Sequence, residues 1–124
     1  MLSKSIEGKW RASFVVVKQI CPERYVDVLP SQLNCTITFI GKDLVEVAEP
    51  STEVNSEQVH KCSYKQINEY VYIRGSDLED KIQERWILKY SNAKLLGEFS
   101  IKDSTTNSFV VAQVSLTRDN NLII

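Results

Sequence analysis

The 124-residue chain carries 15 basic and 16 acidic side chains, a formal net charge of −1, and is 43% hydrophobic and 25% charged. That length and balance suit one globular domain spanning residues 1–124, which buries about two-thirds of the surface its unfolded form would expose. No Lys/Arg cluster is present to neutralise phosphates, which argues against nucleic acid as a partner, and no apolar run approaches the roughly 18 residues of a transmembrane helix.

Period-two alternation, interrupted by turn residues, governs the chain from its start. Between Lys9 and Val17, Trp10, Ala12, Phe14 and Val16 share one face and Arg11 and Ser13 the other, which predicts a half-buried strand. Lys18 to Leu33 breaks the pattern with Pro22 and Pro30, and reads as a long connection in which Tyr25, Val26 and Leu29 could form one helical turn. Cys35, Ile37 and Phe39 then alternate with Thr36 and Thr38 as a second strand. Gly41-Lys42-Asp43 turns the chain into a third, Leu44 to Ala48. After a loop over residues 49–56, a fourth strand runs from Val59 to Ile67 and a fifth from Tyr70 to Arg74, separated by Asn68-Glu69.

The acidic segment Gly75 to Lys81 is read as a solvated loop, since it lacks the ligand spacing of a calcium loop. Gln83 to Tyr90 alternates again, with Trp86, Leu88 and Tyr90 on one face. Ser91 to Lys94 is a tight turn, and Leu95, Gly97, Phe99 and Ile101 continue on the far side. Phe109 to Thr117 closes the series, leaving residues 118–124 as a loosely held tail. About eight strands with mostly short connections predict an all-β, antiparallel up-and-down arrangement, closed as a barrel so that no edge is left exposed. A two-sheet sandwich is the competing architecture.

Three cysteines (Cys21, Cys35, Cys62) without CxxC spacing allow one disulfide plus a free thiol, or three buried thiols. The compartment stays open between cytoplasm and an export route with the leader removed. The Asn34-Cys35-Thr36 match to a glycosylation sequon is short enough to arise by chance.

The opening Gly8-Lys9-Trp10 resembles the G-x-W signature of lipocalins and the wider calycin group. The resemblance implies an eight-stranded barrel with Trp10 closing its floor, a lid loop in the place of residues 18–33, and a basic residue at the end of the last strand, here Arg118, packed over the tryptophan. The middle of the chain lacks the family's T-D-Y-type motif, and no C-terminal helix follows, so the likeness is to the short bacterial barrels.

Chemistry-bearing residues are few. His60, Cys62 and Tyr64 alternate on one face of a strand, and His and Cys are both ligands for zinc or copper. A site needs a third convergent donor, which the spacing does not supply, so no metal and no cofactor is expected. A Cys–His dyad is disfavoured because side chains at i and i+2 lie about 7 Å apart along a strand, and no nucleophile elbow is present. The expected function is non-enzymatic: a barrel holding a small hydrophobic molecule such as a lipid or pigment. Its candidate lining is Phe14, Phe39, Trp86, Leu88 and Phe99, with Tyr25, His60, Tyr64 and Tyr72 as polar or aromatic additions. Whether the interior is hollow or filled by these same side chains stays open. The alternative is a protein-binding module (an inhibitor, immunity or assembly factor) that uses surface residues such as Tyr70, Tyr72 and Arg74.

Overall fold

The computed structural model describes residues 5–20, 32–50, 57–76, 81–105 and 107–119. They form β1 (Gly8–Ile20), β2 (Gln32–Ile40), β3 (Leu44–Pro50), β4 (Glu57–Ile67), β5 (Tyr70–Ser76), β6 (Ile82–Ser91), β7 (Lys94–Asp103) and β8 (Ser108–Arg118). Each strand pairs with its sequence neighbours, and β1 pairs antiparallel with β8, giving a closed barrel in sequence order. This architecture is compatible with a lipocalin-like fold. No helix of the described residues is long and apolar enough to cross a membrane.

The turns follow from residue type. Asn92 and Ala93 both have positive φ, at 51° and 65°, between the paired Ser91 and Lys94. This is the two-residue hairpin geometry whose twist matches that of the flanking strands. Between Ile67 and Tyr70 only the first of the two turn residues, Asn68, has positive φ, at 55°.

The first strand is longer than its alternation predicts. The pairing of β1 with β8 shifts register between Val16 and Lys18, so Val17 is an extra residue, and the strand resumes with Lys18 opposite Val111 and Ile20 opposite Phe109. A bulge of this kind reverses the in–out parity, which is why the sequence pattern breaks where the strand does not. Arg118 and Asp119 are also anchored: Asp119 donates its amide to the Lys9 carbonyl and its carboxylate meets Arg11 and Lys9. Of the expected lid over residues 18–33, residues 18–20 belong to β1 and 32–33 to β2. Residues 21–31, with the expected helical turn, and the tail beyond Asp119 lie outside the described residues.

The floor is built around Trp10, which is 0% exposed. Its indole N–H donates to the Ile6 carbonyl at 2.8 Å, and the Arg118 guanidinium carbon sits 4.4 Å from a Trp10 ring centroid. Arg118 also donates to the carbonyls of Glu7 and, at 2.8 Å, Ser5. One arginine therefore covers the tryptophan and pins Ser5 and Glu7 across the barrel's end, with Ile6 buried between them. Gly8 explains the first letter of G-x-W. Its φ of +114° is disfavoured for other residues, and a Cβ there would lie 3.1 Å from Arg118 Nη1.

Candidate functional site

Above the floor the described residues pack closely in the interior. Ile37, Phe39, Val45, Leu88 and Leu95 are almost wholly shielded and belong to one continuous core with Trp10. A ligand-sized void would leave solvent-accessible surface on its walls, and these walls have almost none. Phe39 meets Tyr64 edge-on at 4.9 Å, and the Tyr64 hydroxyl donates to the Gly41 carbonyl of the β2–β3 turn. Burial pushes the Tyr64 phenol pKa up, so it remains a donor. The next layer is aromatic: Phe14, Trp86 and Phe99 lie 4.8–5.2 Å apart, two contacts edge-on and one stacked. Five of the expected lining residues, Phe14, Phe39, Tyr64, Trp86 and Leu88, thus pack against one another as core. Phe99 and His60 are half-buried and line a cleft at the opposite end.

One expectation changes. Tyr72 points outward, 40% exposed and stacked on Tyr70, because the β-branched Val71 and Ile73 take the inner face of β5. Tyr25 falls outside the described residues.

The end opposite Trp10 is where polar groups enter. The pairing of Val45 with Cys62 and Val47 with His60 turns both β4 side chains inward, and the Gly75–Glu84 pair brings β6 into line with them across β5. His60 Nε2 lies 2.8 Å from Glu84 Oε1, and the Trp86 indole N–H donates to Glu84 Oε2 at 2.6 Å. Ligand atoms of His60, Cys62 and Glu84 all fall within 4.8 Å of one another. The i, i+2 spacing of His60 and Cys62 is therefore no barrier: strand twist and side-chain lean bring together tips whose Cα atoms are further apart. Gly75 makes the space, since a Cβ there would sit 2.6 Å from Cys62 Sγ.

No family model matches the chain, and no curated protein matches it either.

Side-chain hydrogen bonding of the ring to Cys62 and to the Glu84 carboxylate raises the His60 pKa from 6.5 to about 10, against the opposing effect of burial. Burial pushes the Cys62 thiol up, with His60 pulling the other way. A thiol raised in this way is a weak nucleophile at neutral pH. The imidazolium instead makes a fixed ion pair with Glu84, held at the rim of a cleft of about 300 Å³ whose other wall includes Phe99, Ile101 and Ile82. Glu84 and Gly75 are the site residues the sequence reading missed. The parity of Trp86, Leu88 and Tyr90 already places Glu84 on the inner face, but its meeting with His60 requires the register across two strand pairs.

Proposed function

We propose that this chain is a non-enzymatic binding protein of lipocalin-like kinship, which holds a small, largely apolar molecule at the barrel end opposite Trp10. The observation that carries this reading is the cleft in which half-buried Phe99 and Ile101 face the His60–Glu84 pair. The apolar wall supports a hydrocarbon or ring portion, at roughly 25 cal/mol per Å² of apolar surface removed from water. The ion pair supplies one orienting polar contact. Because the aromatic layer fills the barrel below, the ligand sits in the mouth and not along the barrel axis.

The test is thermal unfolding in the presence of a panel of fatty acids, retinoids and tetrapyrroles. A ligand held at a hundred times its dissociation constant stabilises by about 2.7 kcal/mol, and Phe99→Ser should abolish that gain. A panel without stabilisation, or stabilisation unchanged in the variant, overturns the reading.

A second reading, a protein-binding module, is favoured by the outer face of β5 and β6. There Tyr70 and Tyr72 stack at 6.4 Å, Lys89 lies over the Tyr70 ring, and exposed Ile87 pairs with Tyr72. Tyrosines of this kind are enriched at binding hot spots. Apolar ligands without effect, together with a partner lost on Tyr72→Ser, would favour it.

A further inference from the structure

We infer that His60, Cys62 and Glu84 form a binding site for a borderline-soft divalent cation, with Zn²⁺ as the best chemical fit. The donor set is one imidazole nitrogen, one thiol sulfur and one carboxylate oxygen, which is zinc chemistry; calcium and magnesium take oxygen ligands and disfavour sulfur. Bonds of about 2.0–2.3 Å in a tetrahedron place ligand atoms roughly 3.3–3.8 Å apart. The three donors already lie within 4.8 Å of one another, and His60 and Glu84 need to separate only slightly from their 2.8 Å contact.

Three further features fit a built site. The missing side chain of Gly75 leaves Sγ its position between β4 and β6, since a Cβ there would collide with the sulfur at 2.6 Å and approach Glu84 Oε1 at 3.6 Å. The Trp86 indole N–H holds Oε2 of Glu84, which leaves Oε1 for the ion, the kind of outer contact that orients metal ligands. His60 stands at the rim with 42% of its side chain exposed, which provides an entry path, while Cys62 and Glu84 are buried behind it. Three protein donors leave the fourth tetrahedral position to water or to an incoming ligand, so the site is of the open kind.

Binding one cation breaks the Cys62 S–H bond and displaces the proton shared by His60 and Glu84. Both protons go to solvent, no group is oxidised or reduced, and affinity rises with pH. The site shares His60 and Glu84 with the ligand cleft but needs no apolar ligand, so metal titration and the apolar-ligand panel can fail independently of each other.

The test is titration of the full, reduced, chelator-stripped chain with Co²⁺ alone, followed by Zn²⁺. One equivalent of Co²⁺ should give tetrahedral visible bands and a thiolate-to-metal charge-transfer band. It should also perturb the imidazole resonances of His60, the single histidine, and Zn²⁺ should displace it. Cys62→Ser should remove the charge-transfer band, and His60→Ala and Glu84→Gln should each weaken binding at least about tenfold. Absence of the charge-transfer band in the folded wild type, or an unmoved His60, overturns the site. So does a band that survives in Cys62→Ser. If Cys62→Ser fails to fold, the wild-type band and the His60 shift decide the matter between them.

Discussion

The Trp86 indole donates to Glu84 Oε2 at 2.6 Å from two residues further along the same inward face of β6. Alternate residues of a strand share a face, so the two side chains emerge side by side, and the short carboxylate turns back to meet the indole. Its other oxygen is left facing β4, where His60 Nε2 lies at 2.8 Å. A carboxylate in a residue only 8% exposed thus has both oxygens engaged, one by the aromatic layer and one by the ring at the rim. Among the described residues, no buried side-chain nitrogen or oxygen lacks a hydrogen-bond partner.

Removing that carboxylate should therefore leave two donors stranded. Glu84→Ala is expected to cost about 1–3 kcal/mol, the range for a buried polar group that loses its partner. Glu84→Gln should cost less, because the amide oxygen still accepts from Trp86. Urea denaturation of the metal-free protein measures both. Equal losses in the two variants would mean the indole bond contributes nothing.

His60 can be followed directly, since no other histidine overlaps its resonances in a proton NMR titration. Its pKa should lie near 10 and drop in Glu84→Gln, which removes the carboxylate's part of the rise and leaves that of Cys62. The folded value exceeds the unfolded one, so the imidazolium's stabilisation is fully present below pH 6.5 and is lost as pH rises toward 10. Salt should shrink the effect, because the ring is partly exposed. A midpoint near 6.5 in the wild type would show that Glu84 does not hold the proton.

The strands and hairpins were legible because each depends on local pattern: alternation for Trp10 to Val16, Asn92 and Asn68 at turns, Trp86 to Tyr90 on one face. Arg118 over Trp10 was legible only through the G-x-W resemblance. Tyr72 was not, because β5 reads Tyr-Val-Tyr-Ile and both faces are apolar; burial of Val71 and Ile73 decides it. The extension of β1 was hidden by a bulge, which scrambles the parity being read. The His60–Cys62–Glu84 constellation was hidden for a different reason. It is a property of register across β4, β5 and β6, and its spacer is a glycine, a residue with no side chain to announce a site.

The floor gives a sharper test of the barrel. Trp10→Ala should destabilise by about 3–5 kcal/mol, as large aromatic truncations in cores do. Arg118→Ala should cost about 1–3 kcal/mol, from the lost ring contact and the carbonyls of Ser5 and Glu7. Arg118→Lys should recover only part of it, since an ammonium cannot span two carbonyls while lying flat on the indole. Thermal or urea unfolding decides between them, and full rescue by lysine would reduce the role of Arg118 to charge alone.

Gly75 and Cys62 should be energetically coupled. Gly75→Ala puts a methyl where Sγ lies, at 2.6 Å, and the sulfur cannot retreat freely because Cys62 is itself buried. Overpacking of this kind costs about 1–3 kcal/mol. Cys62→Ala removes the obstructing atom and leaves a small gap, which carries its own smaller cost. In the double variant the new methyl fills the space the sulfur vacated. The combined loss should therefore fall short of the sum of the two singles by at least about 0.5 kcal/mol, the threshold for residues in contact. Simple additivity would place the Cys62 sulfur away from the space above Gly75, and the proposed cation site would lose its thiolate donor with it.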